Sequence, residues 1–335
     1  MEEVLYLKSG YVNWHYIFGL KQHLIFDTGG RGIGKTYGAI QYMIEHKIKF
    51  IFIRRTQVEA DIQMNMDVSD LTPVLEDMEI NANIERIPKT PVSLVKNLDT
   101  GENIALIGSL RTFGKIRGMN FRDYDVMLFD EFIPKPEEPK FKLEGFALKQ
   151  AYESVNRNRE LQGRDAVKLI CLSNSLNMQN DTFMEFDLIG VAENLSRSKE
   201  EIYTKGEIAV IIHKYSPISE MKSGTVLYKD AQDDFYKMAI KNEFILNDFT
   251  YIGKQNLKEY QCKAQIGDLF VYKHKSKPIY YIAETKGQTK NVIPATASGK
   301  EKIKRKYWRL WIHYLDGDIM FDSYKSISLF ERYFE

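Results

Sequence analysis

One stretch constrains this chain more than any other. Gly29-Gly30-Arg31-Gly32-Ile33-Gly34-Lys35-Thr36 fits the pattern Gly-x-x-x-x-Gly-Lys-Thr. Leu24-Ile25-Phe26 before it reads as a buried strand, and Tyr37 to His46 after it carries Ala39, Ile40, Met43 and Ile44 at helical spacing. A strand, a glycine loop and a helix in that order build a phosphate cradle. The glycines let backbone N–H groups curl around an anion, and the helix N-terminus adds a favourable field. Lys35 is placed to neutralise phosphate oxygens, and the Thr36 hydroxyl to hold Mg²⁺. The competing reading is a glycine-rich strand–helix turn without a ligand, which needs four fixed positions to coincide by chance. The chain reads as a P-loop, nucleotide-binding protein.

At 335 residues the chain exceeds one ordinary domain, so two are expected. Hydrophobic content of 44% suffices for two cores. A formal net charge of +1 points to no partner class, so any nucleic-acid surface must be a local patch. Cys171 and Cys262 match no metal-ligand spacing and read as buried free thiols of a reducing compartment. Met1-Glu2-Glu3 lacks the basic start of a signal peptide, and no apolar run reaches the roughly eighteen residues of a membrane span. A soluble, intracellular protein with no membrane partner is expected.

The first 23 residues carry Tyr6, Tyr11, Trp14, Tyr16 and Phe18, which either cover a sheet edge or pack beside a nucleotide base. Lys49 to Thr56 is a second buried strand ending in Arg54 and Arg55. In α/β sheets strand C-termini line the ligand crevice, so these arginines point to phosphates or a bound polymer, or else form surface salt bridges. Helical stretches follow at Val58–Met66 and Leu71–Met78. A hairpin turn at Asp99-Thr100-Gly101-Glu102 precedes the strand Ile104–Ile107. Gly108 to Arg122 holds Arg111, Lys115, Arg117 and Arg122 and no acid, which makes it a candidate phosphate-touching loop or else a solvated one. Val126-Met127-Leu128-Phe129-Asp130-Glu131 reads as a buried strand delivering two acids to the crevice. Asp130 is suited to Mg²⁺, and Glu131 to polarising an attacking water. A proline-rich loop at 134–146 leads into a helix from about Leu143. Lys168 to Asn174 is a further buried strand, whose Ser173 or Asn174 is placed to sense a γ-phosphate or simply to make a turn.

Taken in order, Gly-Gly-Arg-Gly-Ile-Gly-Lys-Thr, Phe-Ile-Arg-Arg, Phe-Asp-Glu-Phe-Ile, Arg-Asn-Arg-Glu and Ile-Cys-Leu-Ser-Asn resemble the DNA-packaging ATPases of small podophages. These phi twenty-nine-like encapsidation proteins are relatives of the large terminase subunits. The resemblance covers about residues 24–174. It implies a homo-oligomeric ring, a pentamer, on the portal vertex of a procapsid in the host cytoplasm, pumping double-stranded DNA inward with ATP and Mg²⁺. Portal and a packaging RNA are the implied partners. By position, Lys35 and Thr36 match the phosphate and Mg²⁺ ligands, and Asp130 and Glu131 the Walker B acid and catalytic base. Arg157 matches an arginine supplied to the neighbouring subunit, with Arg159 competing for that role. Lys115 matches a second basic residue acting across the interface, and Arg31 a basic position inside the P-loop.

Further along, Glu193 to Lys205 is polar and reads as a linker, and Ile208 to Ile212 opens a β-rich region. A helix is expected over Thr225–Lys241, a hairpin over Gly267–Tyr272 and Ile279–Ala283, and a strand pair from Trp308–Tyr314 and Ile319–Phe321. A helix over Lys325–Tyr333 ends the chain. Lys286 to Lys306 is a basic stretch beside Tyr307 and Trp308, either a grip on nucleic acid or a solvated loop. In terminases this position holds an RNase H-like nuclease with clustered carboxylates. Here Asp268, Asp316 and Asp318 form no evident cluster.

The expected fold is therefore α/β. A P-loop ATPase domain (additional-strand, RecA-like) over 1–195 and a linker over 196–207 are followed by a smaller RNase H-like domain over 208–335. The expected function is ATP-driven DNA packaging. The alternatives are a complete terminase with nuclease activity and a nucleotide-switched nucleic-acid-binding protein.

Overall fold

The structure, a computed structural model, describes residues 4–135, 137–138, 141, 143–244, 247 and 250–334. The chain divides into two compact units, one of residues 1–186 with 194–245 and the other of 187–193 with 246–335. In chain order the strands of the first unit are β1 Leu24–Gly29, β2 Phe50–Arg54, β3 Ala82–Arg86, β4 Ser93–Asn97, β5 Asn103–Ser109, β6 Val126–Asp130, β7 Lys168–Asn174, β8 Ile202–Lys205 and β9 Ile208–His213. Its helices are α1 Trp14–Gly19, α2 Lys35–Glu45, α3 Gln57–Gln63, α4 Thr72–Asp77, α5 Glu144–Asn156 and α6 Asp181–Glu185. Next come α7 Ile189–Arg197, which crosses the division, then α8 Pro217–Lys222 and α9 Asp234–Ala239.

The nine strands form one sheet in the order β3-β4-β5-β2-β6-β7-β1-β9-β8. From β5 to β9 every neighbouring pair is parallel, and antiparallel hairpins finish both edges. The near-continuous apolar runs of β2 and β6 suit a sheet covered on both faces, and every residue of both strands is buried. Parallel pairing brings the C-terminal ends of β1, β2, β6 and β7 to one edge, with Gly29 opposite Asn174 and Asp130 opposite Leu172. That edge is where an open α/β sheet binds ligands. Ala39, Ile40 and Met43 press α2 into the same apolar cluster as Ile25, Phe52, Leu128, Ile170 and Ile211.

Several expectations need correction. Residues 194–213 are not a linker and a domain start: β9 pairs in parallel with β1 in the heart of the first sheet, and β8 closes its edge. Ala209–Ile212 is buried because β9 lies between two neighbouring strands, and this long-range pairing has no local signature. The aromatic N-terminal segment reaches the sheet edge through Tyr6, which donates to Glu201 at 2.6 Å beside β8, but the rest of it lies against the glycine loop and α2. Trp14 is buried against α2, its indole N–H donating to the Gly34 carbonyl at 3.1 Å, and Tyr11 approaches Gly34. Between Thr225 and Lys241 only Asp234–Ala239 is helical. Gly108–Arg122 is not a loose loop: a 3₁₀ turn, Leu110–Ile116, buries Leu110, Phe113 and Ile116. The proline-rich loop 134–146 and the stretch Met1-Glu2-Glu3 lie partly or wholly outside the described residues.

The second unit holds β10 Tyr260–Ile266, β11 Leu269–His274, β12 Tyr280–Ala283, β13 Val292–Ile293 and β14 Ile319–Phe321, in the order β13-β10-β11-β12-β14. Helices α10 Ala297–Leu315 and α11 Tyr324–Phe334 complete it. The β11–β12 hairpin is as expected. Trp308–Tyr314, expected as a strand, is the last part of α10, and Lys300–Lys306 lies on that helix rather than in a loop. Trp311 stacks on Phe330 and Phe334, an i/i+4 pair, so α10 is held by tertiary packing that a local strand-like pattern conceals. Asp318 pairs with His313 at 3.1 Å. Among the described residues no group of three or more His, Cys, Asp or Glu side chains is arranged to hold a metal ion. Cys171 is buried, whereas Cys262 is half-exposed. Among the described residues no helix is long and apolar enough to cross a membrane.

Candidate nucleotide site

The loop between β1 and α2 curls because two of its glycines sit in the left-handed region, Gly32 at φ 71° and Gly34 at φ 85°. Gly34 caps α2, so the backbone N–H groups that begin the helix open toward the crevice. Ile33 is fully buried and anchors the loop from below. A Cβ on Gly30 would run into Asn242 and the Ala239 carbonyl, and one on Gly29 would meet His213 and Ile33, both at 2.8 Å. Lys35 is buried, its ammonium donating to the carbonyls of Gly29 at 3.1 Å and Gly30 at 2.6 Å. Beneath it Asp27 and His213 form a fully buried pair at 3.0 Å.

The acid end of the site is built from the ends of β2 and β6 and the start of α2. Thr36 donates to Asp130 at 3.1 Å, so hydroxyl and carboxylate meet where two hard oxygens suit a Mg²⁺ ion. Arg54 bridges both acids, at 2.9 Å to Asp130 and 2.7 Å to Glu131. Burial pushes the Asp130 carboxyl up from its ordinary range, and the Arg54 guanidinium opposes that shift. Glu131 sits in the left-handed region at φ 55°, its own N–H donating to Asp130 at 2.9 Å. Such a conformation costs roughly 1–2 kcal/mol for a residue with a Cβ and occurs where a side chain must be aimed. These groups line a cavity of about 1330 Å³ that also includes Arg31, Gly32, Gly34, Lys35, Ser173 and Asn174. Ser173 Oγ accepts the Ile133 N–H at 3.3 Å.

The two basic residues expected to act on a neighbouring subunit lie apart from this subunit's own cavity. Neither Arg157 nor Lys115 lines the cavity. Arg157 caps α5 in the left-handed region at φ 45°, exposed, and donates to the carbonyls of Arg117 at 2.6 Å and Met119 at 2.9 Å. Lys115 is exposed on the 3₁₀ turn that leads into those carbonyls, so the two share one surface region. Arg159 is different: it is buried and holds Asp125 at 2.8 Å together with the carbonyls of Phe121, Arg122 and Tyr124. That guanidinium is a structural pin for the turn entering β6, which removes Arg159 from contention as an exposed arginine. Arg55, read as either a crevice residue or a surface salt bridge, makes ion pairs but buried ones, with Glu144 at 2.7 Å and Glu138 at 2.7 Å, tying β2 to the start of α5. Sequence reasoning did not foresee Arg54 as the partner of both acids. The only signal was its place at a strand end.

The Lys35 ammonium makes a measurable prediction. Burial lowers its pKa to about 8, with Asp27 and Asp130 opposing the shift. The folded value lies below the unfolded one, so between about pH 8 and 10.5 the unfolded chain holds a proton the folded chain has released. Stability of the nucleotide-free protein is therefore expected to rise across that window, by about 3 kcal/mol in all. Urea unfolding at pH 7.5 and 10 checks this against Lys35→Met, which should lose that contribution to the slope.

The model of the podovirus DNA encapsidation protein (Gp16) family matches residues 6–298. The chain belongs to that family. Two DNA packaging proteins, from Bacillus phages PZA and phi29, are each 28% identical over 187 residues, 54% of this chain and 52% of theirs. The chain thus spans about half the length of the curated relatives it matches. In fold it is similar to a chain of the bacteriophage Phi-29 viral genome packaging motor assembly (TM-score 0.66, 18% identity, covering 96% of this chain and 99% of that one). It is also similar to one of the Phi-28 gp11 DNA packaging motor, with a TM-score of 0.60 and 14% identity over 97% of this chain and 98% of that one.

Proposed function

We propose that this encapsidation-family protein hydrolyses ATP to drive double-stranded viral DNA into a preformed capsid, acting as one subunit of a ring. The observation that carries the reading is the convergence of Lys35, Thr36, Asp130 and Glu131 at the strand ends around one glycine loop. Gly30, Arg31, Gly32, Ile33 and Gly34 supply backbone to the phosphates, and Lys35 exchanges its two carbonyl partners for phosphate oxygens. Thr36 and Asp130 hold Mg²⁺, which when bound neutralises charge on the phosphate oxygens. Glu131 orients the attacking water and takes its proton at a carboxylate oxygen, a role that requires Arg54 to let go of it. Asn174, at the end of β7 beside the loop, is placed to report on the terminal phosphate.

Arg157 lies outside its own subunit's cavity and is exposed, as a residue serving a neighbour must be, and Lys115 accompanies it. A ring, a pentamer by family resemblance, supplies that neighbour. The second unit is read as RNase H-like without cleavage chemistry, contacting portal and a packaging RNA. Its α10 carries exposed Lys302, Arg305, Lys306, Trp308 and Arg309, a basic face with an aromatic suited to nucleic-acid phosphate. Family resemblance supports a site of action at the portal vertex in the host cytoplasm.

The test is ATP hydrolysis by the purified protein with and without double-stranded DNA, paired with nuclease protection of DNA in procapsids. Stimulation by DNA and ATP-dependent protection are the expected results. Hydrolysis indifferent to DNA, with no protection, would replace the motor by a nucleotide switch.

A further inference from the structure

The chain after β9 returns over the phosphate loop and brings a cation that no motif announces. Lys222, the last residue of α8, donates its ammonium to the Arg31 carbonyl. The same nitrogen lies 3.1 Å from the point where a Cβ on Gly32 would sit. It is held there from its other side. Nζ lies 5.4 Å from the ring centroid of Tyr228, and Tyr228 stacks nearly parallel on Phe235 at 6.1 Å. Phe235 in turn carries the Arg31 guanidinium at 5.7 Å. A stacked aromatic pair thus fixes two cations at the middle of the loop, beside the buried Lys35.

The charges are not balanced among themselves. Burial and the like charge of Arg31 pull the Lys222 ammonium down from its ordinary value, and Lys222 and Arg31 both add to the downward pull on Lys35. Asp27 and Asp130 offset Lys35, which leaves Lys222 and Arg31 as two cations beside a glycine loop suited to an anion. Lys222 itself does not line the cavity, but Arg31 and Gly32, the residues it touches, do, and the backbone of such a loop cradles the β- and γ-phosphates.

Resting on the nucleotide reading of this cavity, we infer that Lys222 is a phosphate-binding residue, giving up the Arg31 carbonyl to contact the β- and γ-phosphates of a nucleoside triphosphate. The segment after β9 then does more than complete the sheet. It closes the loop from above, and its closure responds to the charge on the ligand. A triphosphate engages Lys222 more fully than a diphosphate.

The experiment measures ATP, ADP and adenosine binding by the full chain as wild type, Lys222→Met and Lys222→Arg. Methionine keeps an unbranched side chain of similar length and removes the charge, with its contacts to the Tyr228 ring and the Arg31 carbonyl. It is expected to weaken ATP by ~10-fold, the factor one charge-assisted hydrogen bond carries, and ADP by ~3-fold or less. Adenosine binding should not change, and Lys222→Arg should restore ATP binding to within ~3-fold of wild type. Equal losses for ATP and ADP, or none, would overturn the inference by reducing Lys222 to a packing residue. Wild-type protein that binds no ATP would instead defeat the nucleotide reading itself, and the inference with it. If Lys222→Met fails to fold, Lys222→Gln gives the same comparison.

Discussion

Glu131→Gln is expected to lower ATP hydrolysis by about 10³-fold while leaving ATP binding within about threefold of wild type. The amide keeps the size of the carboxylate and still accepts a hydrogen bond from Arg54, now 2.7 Å away, but it cannot take a proton from water. Lys35 and Thr36 are untouched, so the phosphates are still held. The combination of intact binding and lost turnover separates a base from a merely structural acid at the end of β6. A steady-state rate assay with a parallel binding titration measures both quantities. Full activity in Glu131→Gln would remove the residue from the mechanism and leave Asp130 as the only functional acid of the pair.

For Arg157→Ala the expected loss of hydrolysis is also about 10³-fold, the usual range for an arginine supplied across an interface. Because Arg157 is exposed, the folded subunit should lose little stability. Arg159→Ala supplies the contrast. Removing its guanidinium leaves the buried Tyr124 carbonyl without this donor and the Phe121 carbonyl with the Tyr124 N–H alone, at a cost of about 2 kcal/mol measured by denaturant unfolding. The decisive measurement mixes Glu131→Gln with Arg157→Ala, each nearly inactive alone. In a ring whose sites borrow Arg157 from a neighbour, some interfaces of a mixed ring pair an intact Glu131 with an intact Arg157. Partial recovery is expected. No recovery from two folded, assembling variants would assign Arg157 to its own subunit or to structure.

Much of the site was legible before the fold was known because its parts are local. The glycine loop needs left-handed φ values and an adjoining helix start, and both are encoded within a few residues. The buried strands announce themselves as apolar runs, and each ends in the polar residue it delivers to the crevice: Arg54, Asp130 and Asn174. By contrast, the paired roles of Arg54 and Arg55 were hidden, since adjacent residues leaving a strand face opposite ways. One turned to the acids of β6, the other to α5. Trp308–Tyr314 misled because an aromatic-rich segment fits a strand or a helix equally well until its packing partners are known.

The glycine loop, the order of the core strands along the chain and the candidate side chains Lys35, Thr36, Asp130 and Glu131 were readable from the chain alone, because backbone conformation and apolar periodicity are short-range properties. Tertiary structure alone decided that β9 belongs beside β1, that Arg159 is a buried pin while Arg157 stands exposed, and that Lys222 rests on the loop. Those outcomes depend on which distant segments share a strand edge or a buried carbonyl. Such pairings are settled by the global competition for burial and hydrogen-bond satisfaction, for which no single stretch of chain carries a mark.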